Sequence, residues 1–469
     1  MSSFFLKKKP KGAPKRKHES VKSKPEKKSK APKPKEEEED DEIDSDEAFS
    51  DPENKTYDKE GEDTDEELET PQDKRLRLAK QYLEEVKLEE ERRAEDKDLD
   101  DTVSKRLRTD YLESVGKLRK SIADSIRGFK EAKTLKHKKQ KLPLTTIVVS
   151  EDGKHVFSGA KTSVVVKWDL ETLKPLGSFD VAPHTEDLRT DIKRRPHIIA
   201  MCISSDNKFL ALADGGNNIQ IWCPHELKHL NTLKGHRDTV QGLVFRKETH
   251  DLYSASMDRS VKIWSIDEMA YVESLFGHQA AITGIDALSR ERAITSGGID
   301  CSVRVWKITE ESQLIFNAHR GSIENVKFIN EENFLSSGDD GSLCLWSAIK
   351  KKPQFTEKLT HGKQPNGDAN WISTIATVVN TDLIASGSSD GFVRLWKMAD
   401  HGRKLESLFK IPVEGFVNGL SFANGGKQLL VAVGQEHRLG RWWRNSRAKN
   451  AVLIFNLDWE EKEEPNCSR

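Results

Sequence analysis

Two hydrophobic periods divide this chain. From about Leu144 onward, short β-branched runs recur, each closed by a tryptophan: VVVKW at Trp168, IQIW at Trp222, VKIW at Trp264, VRVW at Trp306, LCLW at Trp346, VRLW at Trp396 and LGRW at Trp442. Runs of this length between Gly, Asp and Ser turns read as strands. Successive tryptophans lie 40 to 54 residues apart, the period of a four-stranded propeller blade. The pattern predicts an all-β, seven-bladed β-propeller over residues 130–460, an architecture that serves more often as a binding platform than as a catalyst. Upstream the period becomes helical. Leu76, Leu78, Tyr82, Leu83, Val86 and Leu88 are followed, after a polar break, by Val103, Leu107, Tyr111, Leu112, Val115, Leu118, Ile122 and Ile126. This predicts two helices within residues 72–129, the second capped by Asp101 or Thr102 and weakened or ended by Gly116 and Gly128. Residues 1–71 carry no apolar pattern and are expected to be disordered, because they offer no surface whose burial offsets the entropy of ordering. Residues 461–469 form a short tail.

The strand that closes the ring has two candidates. One is the C-terminal AVLIFNL, residues 451–457, and the other an N-terminal segment near Lys133–His137, whose KTLKH mimics the TLKGH before the third blade. Closure matters because it removes exposed sheet edges.

The third to sixth repeats superimpose almost position by position. Asp258, Asp300, Asp340 and Asp390 stand six residues before their tryptophans, and Ser254, Ser296, Ser336 and Ser386 four residues before those. His236, His278 and His319 open the third, fourth and fifth repeats, whereas His361 in the sixth is displaced by the insertion GKQPNGDAN. His, Ser and Asp are the residue types of a hydrolase triad. A nucleophile is needed once, however, and this set returns with each blade. The expectation is therefore a buried structural tetrad in each of four blades, His236/Ser254/Asp258/Trp264, His278/Ser296/Asp300/Trp306, His319/Ser336/Asp340/Trp346 and, lacking an aligned His, Ser386/Asp390/Trp396, in which polar groups satisfy one another. The first, second and seventh blades carry Thr162, Gly216 and Glu436 at the acidic position and lack a clear Gly-His pair.

Composition adds compartment and excludes chemistry. The 77 Lys and Arg nearly balance the 78 Asp and Glu, but the balance is the sum of a basic arm, an acidic stretch and an ordinary remainder. Five scattered cysteines without a CxxC pair point to reduced thiols in the nucleus or cytosol, with no zinc site or disulfide framework. With no apolar run approaching the roughly 18 residues of a membrane span, a soluble intracellular protein without membrane contact is expected. Phosphate-binding Gly loops, HExxH and EF-hand loops are absent, so neither enzymatic activity nor a cofactor or metal is expected. Lys7, Lys8, Lys9, Lys15, Arg16 and Lys17 have the clustered charge of a nuclear import signal, the alternative being a solubilising tail. Ser45, Ser50 and Thr64 precede acidic residues and are candidate sites for an acid-directed kinase.

Three groups of cations are candidate RNA contacts. The helices carry Arg75, Arg77 and Lys80, then Lys105, Arg106, Arg108, Lys117, Arg119 and Lys120, which read equally as the solvated faces of amphipathic helices. The long loop between the first and second blades supplies Arg189, Lys193, Arg194 and Arg195. The segment EHRLGRWWRNSRAKN supplies Arg438, Arg441, Arg444, Arg447 and Lys449 around an extra aromatic, Trp443. Cations interleaved with an aromatic suit phosphate contact plus base stacking. The competing readings are a solvated loop rim, or a Trp443 that packs beneath the last strand.

The recurring His, Ser, Asp and Trp resemble the WD40 family's buried network. Together with the charged head and the helices DKRLRLAKQYLEEVK and SKRLRTDYLESVGKLRKSIAD, the chain resembles, over nearly its full length, the WD-repeat proteins of the U3 small nucleolar ribonucleoprotein. That resemblance implies a non-enzymatic scaffold in the nucleus and nucleolus. It implies binding to the box B/C region of U3 small nucleolar RNA beside a small kink-turn-binding protein and other subunits of the particle, contact with small-subunit processome proteins, and support of precursor rRNA processing. A nuclear WD40 adaptor for chromatin or histone tails is the alternative.

Overall fold

The computed structural model describes residues 71–93, 99–114, 118–181, 197–317, 319–400, 402–440 and 443–460. The basic arm, the three phosphorylation candidates, Lys117, the cluster from Arg189 to Arg195, and Arg441 and Trp442 lie outside the described residues. Seven antiparallel sheets form the seven-bladed propeller, six of them four-stranded. The first blade comprises Leu144–Val149, His155–Ala160, Val164–Asp169 and Pro175–Asp180, and the sixth Thr374–Thr377, Leu383–Gly387, Phe392–Ala399 and Lys404–Pro412. In the six complete blades the tryptophan sits on the third strand and is buried, from Trp168 to Trp396. The strands alternate so that one face packs on each neighbouring blade. Apolar clusters accordingly bridge adjacent blades, as where Leu252 and Trp264 join Ala211 and Ile221.

The seventh blade departs from the expectation. Its strands are Phe416–Ala423, Gln428–Gly434 and Ala451–Trp459, so LGRW does not supply its third strand and Trp442 is not the seventh member of the series. Register identifies the replacement. Leu429 pairs with Phe455 where Val156 pairs with Trp168, and Val431 pairs with Leu453 where Ser158 pairs with Val166. Phe455 and Val431, both buried, thus occupy the tryptophan and serine positions. This blade has replaced its polar network with hydrocarbon.

Both candidates for closure take part. Ala451–Trp459 is the third strand, and the N-terminal strands Ile126–Phe129 and Lys133–Leu135 pair along its outer edge, Phe129 with Leu457 and Thr134 with Leu453. The ring is closed by joining the first and last strands of the propeller, which leaves that edge paired.

Helix α1 spans Pro71–Arg93 and α2 spans Leu99–Ser114. Tyr82 on α1 donates to Asp110 on α2 at 2.7 Å. Val86 and Val103 are buried, whereas Leu83, Leu88 and Tyr111 stay exposed. The helical period expected to run on to Ile126 does not continue α2 there: it gives one 3-10 turn, Ala123–Ser125, and then the strand that begins at Ile126. Leu118, Ala123 and Ile126 are buried, and the last two belong to the same apolar cluster as Leu383, Leu395, Val431 and Phe455. The segment is pinned by Asp382, whose Oδ1 accepts the backbone N–H of Ile122 at 2.8 Å and of Ala123 at 3.0 Å, while Ser121 Oγ donates to Oδ2 at 3.1 Å. Gain of propeller core outweighed local helix propensity.

Candidate nucleic-acid interface

The repeating polar residues form closed internal networks. In the third blade Trp264 Nε1 donates to Ser254 Oγ at 2.8 Å, His236 Nε2 lies 2.7 Å from the same oxygen, and His236 Nδ1 lies 2.9 Å from Asp258. Satisfying every partner assigns the ring proton to Nδ1, so that Ser254 accepts from the indole and donates to Nε2. Although burial works upward on Asp258, hydrogen bonds from His236, Ser260 and the Arg237 N–H hold its pKa well below the usual carboxylate range. The fifth blade repeats the arrangement with a variation: His319 Nδ1 reaches Ser342 Oγ at 2.9 Å, and that hydroxyl donates to Asp340 at 2.6 Å. In these blades the serine oxygen is spent between His and Trp and has no access to a substrate.

One assigned member is wrong. In the fourth blade both Trp306 Nε1, at 2.8 Å, and His278 Nε2, at 2.7 Å, meet Thr295 Oγ1 rather than Ser296. The turn after this strand is one residue longer, carried through Gly298 at a φ of +44°, so counting back from Asp300 lands one residue late. A one-residue shift along a strand moves a side chain to the opposite face. Ser296 instead lies 2.9 Å from Thr283 Oγ1.

Two members escaped sequence reasoning. His361 completes the sixth tetrad, 3.0 Å from Asp390 and 2.9 Å from Ser386, which also accepts Trp396 Nε1 at 2.9 Å. It stands 25 residues before its serine instead of the 18 of the third blade because the insertion follows it. In the first blade Gln140 takes the histidine's place: its Nε2 donates to the Ser158 carbonyl at 2.7 Å, its Oε1 accepts Ser158 Oγ at 3.2 Å, and Ser158 accepts Trp168 Nε1 at 2.8 Å. The spacing of 18 residues was the available signal. In the second blade Gln220 links Trp222 to Asp214.

The basic candidates are dispersed. Arg75, Lys80 and Arg108 are exposed on the helices, Arg77 is half-buried, and Arg106 lies 3.9 Å from Asp110. Lys105 lies on α2, and its side chain is outside the described residues. Arg119 pairs with Glu332 at 3.2 Å, and the Lys120 N–H donates to the Asn380 carbonyl at 2.8 Å, so both belong to the segment that docks on the propeller. Arg438 separates from its cluster. Its side chain enters the central channel, where burial lowers its pKa against the opposing pull of Glu324.

The described remainder of that cluster, Trp443, Arg444, Arg447 and Lys449, shares one braced loop. Gln435 braces the loop, accepting the Asn445 N–H at 2.9 Å and Arg444 at 3.2 Å and donating to the Ala448 carbonyl at 2.8 Å. Asn450 donates to the Lys141 carbonyl at 3.0 Å, and Lys161 of the first blade donates to the His437 carbonyl at 2.7 Å. Arg444, Arg447 and Lys449 project outward from this base. Trp443 is 49% exposed and makes an edge contact with Trp371 at 5.5 Å, and Trp371 stacks on His437 at 4.8 Å. Burial, reinforced by Arg438 and Lys161, pushes His437 down to about 3, so the stack carries no charge of its own near neutrality.

Comparison with known proteins agrees with this architecture. The family described as WD domain, G-beta repeat matches residues 227–265, 270–307, 310–347 and 360–397, the blades whose His–Ser/Thr–Trp networks are complete. The chain is similar to the human "U3 small nucleolar RNA-interacting protein 2", 48% identical over 83% of this chain and 82% of that protein. It is also similar to "Ribosomal RNA-processing protein 9" of Saccharomyces cerevisiae, 26% identical over 67% of this chain and 58% of that one. A solved structure described as "Structure of U3-55K" superimposes with a TM-score of 0.66 at 45% identity, over 70% of this chain and 98% of that one. The chain therefore belongs to the WD-repeat family of the U3 small nucleolar RNA-interacting proteins.

Proposed function

We propose that this chain is a non-enzymatic, RNA-binding scaffold of the U3 small nucleolar ribonucleoprotein, acting in the nucleolus in precursor rRNA processing for the small ribosomal subunit. The kinship over most of both chains with a human protein named for its interaction with U3 small nucleolar RNA carries this reading. The recurring His, Ser and Asp support it from the other side, since their hydrogen-bonding capacity is consumed inside the blades. The RNA it engages is the box B/C region, already bent by a small kink-turn-binding protein, with other subunits of the particle and small-subunit processome proteins as neighbours. Phosphate contacts from the outward cations Arg444, Arg447 and Lys449, from Arg189, Lys193, Arg194 and Arg195, and from the cations of α1 and α2 supply affinity, and RNA shape supplies specificity. The basic arm directs nuclear import, and Ser45, Ser50 and Thr64 are phosphorylated.

The test is immunoprecipitation from the native cell followed by sequencing of bound RNA. Enrichment of a single small nucleolar RNA is expected; recovery of histones without RNA would replace this reading with that of a chromatin adaptor.

A further inference from the structure

Between the sixth and seventh blades, on the face where the tetrad histidines lie, a cleft of 580 Å³ opens. Its volume is that of a small-molecule site. Its walls come from the inserted loop after His361, the turn before Phe392 and the braced loop at Trp443. Two aromatic rings line it and stay partly open to solvent, Trp443 at 49% and Phe392 at 39%. Such exposure leaves apolar surface in water unless a ligand covers it. Trp443 is held from outside the cleft by the Trp371 and His437 stack, so its position does not depend on a ligand.

The polar lining is sorted by charge. The one carboxylate there, Asp390, is already engaged by His361 at 3.0 Å, by Arg394 at 3.0 Å and by the Phe392 N–H at 3.1 Å. Arg444 makes its bond to a neutral amide, Gln435, and Lys363 is exposed on the opposite wall. Cationic charge is thus left uncompensated around an aromatic floor. An acidic peptide would use the cations and leave the rings bare, whereas a nucleotide uses both, a flat base on an aromatic face and a phosphate on a cation.

We infer that this cleft receives one unstacked base of a single-stranded RNA segment, stacked on Trp443, with the adjoining phosphates met by Arg444 and Lys363. The inference rests on the RNA-binding reading above and narrows it: paired RNA cannot enter, because a base within a duplex has both faces covered.

The experiment uses the full chain with two probes, a hexauridylate carrying 5-iodouridine and a fully paired hairpin carrying the same label, and reads cross-linked peptides by mass spectrometry and affinity by anisotropy. Cross-linking of the hexauridylate at the peptide containing Trp443, and not of the hairpin, is expected. W443A should weaken hexauridylate binding roughly 5- to 150-fold, the range for loss of one base–aromatic stack. W443F should restore most of it, which a merely structural role for the indole would not do. R444Q should weaken binding and flatten its salt dependence. Equal cross-linking of the hairpin at Trp443 would overturn the inference, as would an acidic peptide that binds the cleft and excludes the hexauridylate. If transcribed U3 RNA binds while neither W443A nor R444Q changes hexauridylate affinity, the cleft assignment falls and the RNA reading stands. If the unmodified chain binds neither RNA, both fall.

Discussion

Replacing Thr295 with valine removes a single oxygen and nothing else of size. That oxygen is the sole link between Trp306 Nε1 at 2.8 Å and His278 Nε2 at 2.7 Å. Thr295 is fully buried and His278 and Trp306 nearly so, so no water replaces it. Each orphaned buried group costs about 1–3 kcal/mol. Two of them in one network place Thr295→Val at about 2–6 kcal/mol. Ser296→Ala is the internal control, because its hydroxyl partner Thr283 also bonds to the Ile323 carbonyl at 2.6 Å. Its loss costs about 0.5–1.5 kcal/mol, the value of one ordinary hydrogen bond. Scanning calorimetry of both variants reads the difference. At roughly 1.5 °C per kcal/mol for a chain of this size, T295V should melt about 3–9 °C below the unmodified protein and S296A no more than about 2 °C below. Equal shifts, or a larger one for S296A, would refute the assignment of Thr295 to the network.

Asp382→Ala removes the acceptor for the Ile122 and Ala123 N–H groups, and should cost about 1–2 kcal/mol, as loss of a helix cap does; hydrogen exchange should rise over residues 118–129 while the first five blades keep their protection. His250 joins the second and third blades, with Asp206 at 2.8 Å on one ring nitrogen and Asp267 at 2.6 Å on the other. Burial works downward on His250, but the two carboxylates outweigh it and raise its pKa. A raised histidine stabilises fully below its unfolded value of about 6.5 and less as pH climbs through the folded value. Denaturation midpoints should therefore fall as pH climbs above about 6.5, by no more than about 1 kcal/mol for so exposed a pair, and His250→Gln should remove that fall while leaving the rest of the profile unchanged. Gly297→Ala should destabilise the fourth blade, since a Cβ there would collide with Asp300 Oδ1 and His278 Nδ1; an unchanged melt would show that the tetrad relaxes freely.

Six tryptophans placed six blades correctly because the indole is both the largest core residue of its strand and the donor to a buried oxygen. The seventh failed for the same reason. Once Phe455 and Val431 made that blade's interior apolar, the tryptophan signal was lost from its third strand, and the basic loop placed Trp442 and Trp443 where the period sought one. Fixed offsets found Ser254, Ser336 and Ser386, and missed Thr295 and His361, where turns or loops differ in length. Gln140 was hidden by identity, not distance, since an amide supplies the same donor and acceptor as an imidazole. Helical spacing at Leu118, Ile122 and Ile126 was real, but Leu118 is buried and Ile122 and Ile126 face the propeller core from either end of a single 3-10 turn, which period alone does not reveal. In the candidate interface Trp443 and Arg444 were legible as a cationic cluster with an aromatic. Trp371 and Phe392, supplied by the sixth blade's approach to the seventh, were not.

RNA binding through phosphates and unpaired bases, proposed above for this propeller, is open to test on the purified protein. The purified full chain is titrated against transcribed U3 small nucleolar RNA, with and without a small kink-turn-binding protein, from 50 to 200 mM salt. The expected result is binding that tightens with the kink-turn-binding protein and whose log affinity falls linearly with log salt concentration. Binding that ignores salt, or that is no tighter for U3 RNA than for an unrelated hairpin of equal length, would contradict it.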